Sequence, residues 1–139
     1  MSDSELEHRV TYNETDQMGV VYHANYLIWC EMARTEHLRR TGVTYRELEE
    51  QGVYLVVVEA AIRYRAPARY DDLVRVRCWV EEAGSRRVTF GYDIRNGTTG
   101  DRLATASTSL VAINRERAIS RVPDHVRELL QPAADAIRR

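Results

Sequence analysis

Residues 12–26 read YNETDQMGVVYHANY and join the first predicted strand, about residues 8–16, to the only long helical pattern in the chain. Asp16 ends that strand, and Gly19 allows a turn before the helix begins. This order can set one carboxylate opposite the unpaired N–H groups of a helix N-terminus. A base or nucleophile that faces oxyanion donors is what acyl-bond hydrolysis needs. The stretch therefore predicts both a turn of the fold and a candidate site.

Outward from this stretch, the pattern from about Ala24 to Thr41 predicts the long helix. Arg39 and Arg40 suit the negative end of its dipole, and Gly42 supplies a C-terminal stop. Its first half is apolar on almost the whole circumference, which predicts a helix enclosed by other elements. Glu31 interrupts this apolar surface, so it is either partnered in the interior or facing a site.

Shorter patterns follow the long helix. Thr44 and Glu47 are spaced like a capping box, which predicts a helix from about Thr44 to Gln51. Alternating apolar residues then predict four strands, at about 58–65, 74–81, 88–94 and 102–114, and Asn96-Gly97 begins the turn into the last. Pro123 precedes an amphipathic C-terminal helix. We expect an α+β fold in which the four strands form a meander and the sheet wraps around a buried helix.

Composition indicates a single globular domain over residues 1–139. The chain has 139 residues with 44% hydrophobic content, enough for a core. Its net charge of -1 gives no reason to expect nucleic acid or membrane partners. All 20 basic residues are arginine, evenly spread, which is typical of a coding bias.

The remaining bulk features predict a cytoplasmic protein. Cys30 and Cys78 are far apart and in no CxxC pattern, so we expect reduced, packed thiols. The acidic N-terminus is not a signal peptide, and no apolar run approaches the roughly 18 residues of a membrane span.

Asp16 and His23 are the sharpest candidate residues. Taken alone, Asp16 is more typical of a turn or cap carboxylate, the usual role of Asp at the end of a strand. The helix start that follows has no clear N-cap, although His23 or Asn25 could serve weakly, so a ligand oxygen could satisfy its N–H groups. His23 then has three possible roles: side-chain acid or base, backbone oxyanion donor, or structural histidine.

Metal binding and cysteine catalysis are excluded by the distances between the residues, and serine-hydrolase and nucleotide-binding sites are not supported by any motif. His23, Cys30 and His37 recur every seven residues, which is about 10.5 Å along a helix, whereas zinc ligands lie about 2.0–2.3 Å from the ion. Cys30 is out of reach of either histidine for the same reason. No GxSxG, GxGxxG or Walker sequence occurs. Five arginines around the second and third strands form either a solvated sheet face or phosphate contacts: Arg63, Arg65, Arg69, Arg75 and Arg77.

Two blocks of sequence resemble a known family. Residues 15–26, followed by Glu31-Met32-Ala33-Arg34-Thr35-Glu36, are similar to the hotdog-fold acyl-CoA thioesterases, of the 4-hydroxybenzoyl-CoA thioesterase type and its YbgC-like branch. Residues 64–73 (YRAPARYDDL) agree with this. The resemblance implies a hotdog fold of about five strands around a central helix, with chains paired as homodimers or homotetramers. Active sites in such proteins lie at the dimer interface.

The resemblance also implies roles for individual residues. Asp16 maps onto the family acid, as nucleophile or general base, and the backbone N–H of His23 maps onto the oxyanion donor, with possible help from its side chain. Six further residues are predicted to bind substrate: Gly19, Val20, Tyr22, Asn25, Glu59 and Arg87. Glu59 and the pair Gln17-Met18 lie outside what the resemblance maps and are candidates to line the acyl pocket, and Arg87 beside Ser85 is a candidate phosphate contact.

The implied reaction is hydrolysis of a small aromatic or short- to medium-chain acyl-CoA, without a metal or redox cofactor. Two alternatives stay open. One is a hotdog acyl-thioester hydratase or dehydratase, for which enoyl-CoA absorbance is the test. The other is a non-catalytic acyl-CoA-binding protein, which would bind acyl-CoA tightly and release no thiol.

Overall fold

The computed structural model describes residues 3–132, which form one antiparallel sheet packed on one long helix. The strands are β1 (Asp3–Arg9), β2 (Tyr54–Tyr64), β3 (Leu73–Ala83), β4 (Arg87–Asn96) and β5 (Arg102–Ile113). The helices are α1 (Asn25–Thr41), α2 (Tyr45–Glu50) and α3 (Asp124–Leu129), with a short 3-10 turn at Tyr12–Glu14. The α+β prediction is confirmed. The ends of the predicted domain, residues 1, 2 and 133–139, lie outside the described residues.

The strand order in the sheet is β1-β3-β4-β5-β2. Strands β3, β4 and β5 form a meander as predicted. Strand β2, however, does not pair with β3: it pairs with β5 and forms one edge of the sheet. The predicted four-strand meander is therefore wrong at its first step. The reason is that β1 takes the free edge of β3, where Glu7 and Asp3 form ion pairs with Arg75 and Arg77. Alternation predicts that a segment is a strand, but it does not choose the neighbour.

The core lies between α1 and the face of the sheet that we call the inner face. Alternate residues of β3 and β4 are fully buried there: Val74, Val76, Cys78, Val80, Val88, Phe90, Tyr92 and Ile94. Trp29, Cys30 and Leu38 of α1 are also fully buried. Each large apolar side chain buried in this way contributes about 1.5–3 kcal/mol, so the contact of the sheet with α1 stabilises the fold.

Helix α1 begins and ends within one residue of its predicted limits. Gly42 adopts a φ of 105° and donates its N–H to the carbonyl of Arg39 at 3.0 Å, which is the predicted stop. The predicted enclosure is wrong for one side of the helix. Leu27 and Ile28 are 37% and 52% exposed, and Glu31 is exposed beside them. Only the side that faces the sheet is covered by the residues the structure describes.

The first strand also differs from its prediction. It ends at Arg9, and Thr11 and Glu14 then close a turn, with the Thr11 N–H donating to Glu14 Oε1 at 2.8 Å and the Glu14 N–H to the Thr11 carbonyl at 3.1 Å. A side chain that competes for backbone groups in this way ends a strand. Asp16 therefore lies in a loop rather than at the end of a strand.

The shorter helices agree with their patterns. Thr44 Oγ1 accepts the Glu47 N–H at 3.1 Å and caps α2. Val126 of α3 and Leu130, which directly follows the helix, are buried. Within residues 3–132, no helix has the length and apolar character needed to cross a membrane.

Candidate active site

Asp16 lies at the tip of a small hairpin that leads into α1. Thr15 and Val21 form an isolated antiparallel bridge, and the Asp16 N–H donates to the carbonyl of Val20 at 2.9 Å. The Gly19 N–H donates a hydrogen bond to the carbonyl of Asp16 at 3.0 Å. Gly19 has a φ of 80°, and a Cβ there would touch nothing within 4 Å. Glycine is therefore needed for its backbone conformation rather than for space.

The half-buried carboxylate of Asp16 is held by one oxygen. Its Oδ1 accepts the Met18 N–H at 2.8 Å, whereas Oδ2 accepts no hydrogen bond from residues 3–132. The bonded oxygen limits rotation of the carboxylate. The other oxygen is left to take a proton or to attack a carbonyl carbon.

No side chain of the described residues caps the start of helix α1, in agreement with the prediction from sequence. The Asn25 N–H donates to the carbonyl of Tyr22 at 2.9 Å, but the N–H groups of His23 and Ala24 find no acceptor in the part of the chain that the structure describes. Both residues are exposed. Two open N–H groups at the positive end of a helix dipole can stabilise an oxyanion.

The second sequence block holds this helix start in place. The hydroxyl of Tyr64 donates to the carbonyl of His23 at 2.8 Å. The Val21 N–H donates to the carbonyl of Ala68 at 2.8 Å, and the Ala68 N–H donates to the hydroxyl of Tyr26 at 3.0 Å. Burial raises the pKa of Tyr64, so its hydroxyl keeps its proton and remains a donor. The two blocks that carry the family resemblance are thus in direct contact.

Anchoring the His23 carbonyl also orients the next N–H group. The carbonyl and N–H of a trans peptide point in opposite directions. Because Tyr64 binds the carbonyl of the peptide between His23 and Ala24, the Ala24 N–H points away from Tyr64. The ring of His23 is 4.4 Å from the ring of Tyr22, between ring centroids, and its side chain is exposed.

Glu14 is a residue of the site that the sequence analysis missed, although the Thr11–Glu14 spacing is that of a capping box, which the structure forms. Its carboxylate accepts the indole N–H of Trp29 at 2.8 Å and lies 2.9 Å from Nε2 of His8. These contacts join the turn at residues 12–14 to β1 and α1. The partners are 6 and 15 positions away, so no local pattern could have indicated them.

The other predicted residues near the helix start have structural contacts. The side-chain amide of Asn25 donates to the carbonyl of Glu14 at 2.8 Å, which ties α1 to the turn. Val20 contributes its carbonyl to the hairpin, and Tyr22 is 49% exposed. The structure brings these residues together with Asp16, and their contacts with substrate stay predictions.

Glu59 and Arg87 lie elsewhere in the protomer. They form an ion pair of 2.9 Å in which both side chains are exposed. Glu59 is in register with Ser109, and Arg87 with Val111, which are alternate to the inner-face residues of β5. Both side chains are therefore on the outer face of the sheet, opposite α1. One chain alone does not bring them to Asp16.

The surroundings of the other candidate residues indicate structural roles rather than catalytic or metal-binding ones. Arg75 and Arg77 form exposed ion pairs with β1, which favours a solvated sheet face for these two residues. Burial raises the pKa of Cys30 to about 12, so its thiol stays protonated. Among residues 3–132, no three His, Cys, Asp or Glu side chains cluster as metal ligands would.

The fold and the site together define a class of protein. A five-stranded antiparallel sheet on one central helix, with an acid beside an uncapped helix N-terminus, is the arrangement expected of hotdog thioesterases. The chain belongs to the thioesterase-like superfamily, whose family model matches residues 10–130.

Three known proteins are similar over most of the chain. YneP of Bacillus subtilis is 38% identical over 116 residues, which are 84% of this chain and 83% of YneP. The acyl-CoA thioesterase YbgC of Haemophilus influenzae is 37% identical over 113 residues, 81% of this chain and 83% of its own. The crystal structure of DHNA-CoA thioesterase from Staphylococcus aureus superposes with a TM-score of 0.81 at 34% identity, covering 88% of this chain and 80% of that one.

Proposed function

We propose that the protein hydrolyses the thioester of an acyl-CoA to a free acid and coenzyme A. The acyl group that we propose is small and aromatic, or aliphatic and of short to medium length. The observation that carries the proposal is the half-buried Asp16 carboxylate, joined by the Thr15–Val21 bridge to a helix start with open N–H groups at His23 and Ala24. Membership of a thioesterase family supports the reaction class, and the name of the related YbgC supports the substrate.

In this proposal the thioester carbonyl oxygen binds at the His23 N–H. As a general base, Asp16 takes a proton from water while the water oxygen adds to the carbonyl carbon. The helix N–H groups stabilise the tetrahedral oxyanion, which collapses with cleavage of the C–S bond. The departing thiolate takes a proton and leaves as coenzyme A.

As a nucleophile, Asp16 instead attacks the carbonyl carbon itself and expels the thiolate. This gives a mixed anhydride that water then hydrolyses. A single turnover in water labelled with oxygen-18 detects the nucleophilic route when water attacks the carboxyl carbon of Asp16. The label then enters Asp16 and the product acid keeps an unlabelled oxygen from Asp16, whereas the general-base route puts the label directly into the product acid.

A substrate panel tests the proposed function. Aromatic, short-chain and medium-chain acyl-CoAs are incubated with the full chain, and free thiol is measured over time. We expect rapid thiol release from at least one of the three groups. Tight acyl-CoA binding with no thiol release would contradict the proposal and favour a binding protein.

We further propose that the chain acts as a homodimer, with two dimers forming a tetramer. Among residues 3–132, strand β2 has β5 as its only neighbour in the sheet, and Val56, Val57 and Val58 along it are exposed. Leu27 and Ile28 of α1 are exposed as well. An open strand edge with exposed apolar residues is typical of a protein–protein contact, and these observations support pairing with a second copy.

The proposal also covers cofactor and location. We propose that no metal or redox cofactor takes part, with coenzyme A entering only as part of the substrate. We place the protein in the cytoplasm, and the free, buried state of Cys30 and Cys78 supports a reducing compartment.

A further inference from the structure

Glu14 lies two residues before Asp16, and its side chain is only 13% exposed. Its carboxylate accepts the Thr11 N–H at 2.8 Å and the Trp29 indole N–H at 2.8 Å, and Nε2 of His8 lies 2.9 Å away. An ionised carboxylate can only accept, so His8 donates from Nε2. One side chain thereby fastens the turn, β1 and α1 together.

The backbone carbonyl of Glu14 fixes the other arm of the hairpin. It accepts the Tyr22 N–H at 2.9 Å and the side-chain amide of Asn25 at 2.8 Å. Tyr22 and Asn25 flank the two open N–H groups at the start of α1. Glu14 therefore contacts both the segment that leads to Asp16 and the segment that carries the oxyanion donors.

The charge of Glu14 is engaged entirely within the protein. Burial alone would raise its pKa, but hydrogen bonds from the Thr11 N–H, from His8 and from Trp29 outweigh burial and lower the pKa overall. The carboxylate is thus ionised, and each of its two oxygens accepts hydrogen bonds from protein donors. Asp16 differs, because one of its oxygens accepts nothing from residues 3–132.

We infer that Glu14 is a positioning residue: it holds the hairpin so that the carboxylate of Asp16 lies opposite the N–H groups that start α1. The inference rests on the proposed function, since it acts through Asp16. Misplacing a reacting group by about 1 Å can lower a rate about 10²-fold. Loosening this clamp should therefore reduce turnover without removing any group that touches the substrate.

Glu14→Gln is the variant that tests the inference. Glutamine keeps the length of the side chain but replaces one acceptor oxygen with an amide donor, so one of the three donors then faces another donor. We expect kcat to fall about 10- to 100-fold, with KM within about 3-fold of the wild type, because substrate binding is left in place. The matched control is Glu36→Gln on α1, whose partners are Arg39 and Arg40, and we expect it to keep wild-type kcat.

A double-mutant cycle separates positioning from general damage. If Glu14 acts through Asp16, then Glu14→Gln causes no further loss of kcat in an Asp16→Asn background. An equal fold-loss in both backgrounds would overturn the inference, since Glu14 would then act independently of Asp16. A wild-type kcat for Glu14→Gln beside an inactive Asp16→Asn would also overturn it, and the proposed function would stand.

Two further outcomes are decisive. Wild-type turnover by Asp16→Asn alone would overturn the proposed role of Asp16, and with it the positioning of Asp16 by Glu14. If Glu14→Gln fails to fold, His8→Ala removes one donor of the clamp and leaves the carboxylate bound to Thr11 and Trp29. We then expect a smaller loss of kcat that again disappears in the Asp16→Asn background, and its persistence there would refute the inference.

Discussion

His37 is a buried titratable side chain in the contact between α1 and the sheet. Its residue is 1% exposed, its Nδ1 lies 2.6 Å from the hydroxyl oxygen of Ser4, and its ring packs edge-on against Phe90. Burial lowers the pKa of His37, Asp3 opposes the shift and Arg40 adds to it. The neutral imidazole therefore belongs to the folded state.

This burial predicts a pH dependence of stability. The folded pKa is below the ordinary value, so the unfolded chain binds the proton first as the pH falls. The free energy of unfolding should decline as the pH drops through about 6.5 towards the lower folded pKa. Urea unfolding at pH 7.5 and 5.5 measures the decline. We expect it to be smaller for His37→Gln than for the wild type and the exposed control His125→Gln, and equal declines would contradict this account.

The sequence indicates only part of the clamp at Glu14: the Thr11–Glu14 spacing is that of a capping box, but the contacts with His8 and Trp29 follow no local pattern. Asp16 is visible because its turn, its glycine and the helix start are consecutive. Glu14 acts through His8 and Trp29, which come from separate elements. A hydrogen bond between distant segments leaves no spacing or period in the sequence.

At the scale of elements, the start of α1 is an assembly of two segments. Strand β2 ends at Tyr64, whose hydroxyl binds the carbonyl of His23 at 2.8 Å. The Val21 N–H donates to the carbonyl of Ala68, which lies in the loop after β2. The orientation of the oxyanion donors therefore depends on the position of β2 as well as on the helix.

Tyr64→Phe should lower turnover while leaving the fold intact. Phenylalanine keeps the ring that packs edge-on against Tyr26 but loses the hydrogen bond to His23. We expect kcat to fall roughly 10-fold, because oxyanion donors act only when they are held in place. Thiol release measures the effect, with Tyr70→Phe, which is 57% exposed as tyrosine, as the control. A wild-type kcat for Tyr64→Phe would show that the helix start is fixed by other contacts.

Local signals predicted the elements better than their arrangement. Thr44 capped α2 and Gly42 ended α1 as expected, because capping depends on residues that are neighbours in sequence. The first strand was misplaced, since the extended pattern at residues 8–16 hides the turn that Glu14 closes. The position of β2 was wrong because the partner of a strand is chosen by the whole sheet.

At the scale of the whole molecule, the protomer leaves an apolar surface open. Val57 on β2 lies beside Leu27 and Ile28 of α1. The exposed Val56, in register with Val111, lies on the outer face, and the exposed Val58 lies at the bulge of the edge strand. The sequence predicted a helix that is apolar on all sides, and only the sheet side is covered by residues 3–132. The excess apolar surface becomes understandable if a second copy covers it, as we propose.

Val58→Lys should therefore separate the copies. Val58 is 53% exposed at the bulge of the edge strand, and a lysine there opposes pairing of strand edges. Analytical ultracentrifugation should show dimers or tetramers for the wild type and monomers for the variant, with reduced thiol release. Ile119→Lys, at an exposed apolar position that pairs with Ile113 of β5 and is not part of the β2 edge, should leave the assembly intact. A monomeric wild type with full activity would contradict the proposed dimer.

The central claim is that Asp16, set beside the open start of α1, carries out the hydrolysis. The most direct measurement is kcat for thiol release by Asp16→Asn on the best substrate of the panel, with Asp101→Asn in an exposed turn as the control and circular dichroism to check the fold. Asparagine keeps the shape of the side chain but can neither take a proton nor attack efficiently. We predict a loss of roughly 10²-fold or more for a key acid–base group and no loss for the control. Turnover by a folded Asp16→Asn within several-fold of the wild type would contradict the account.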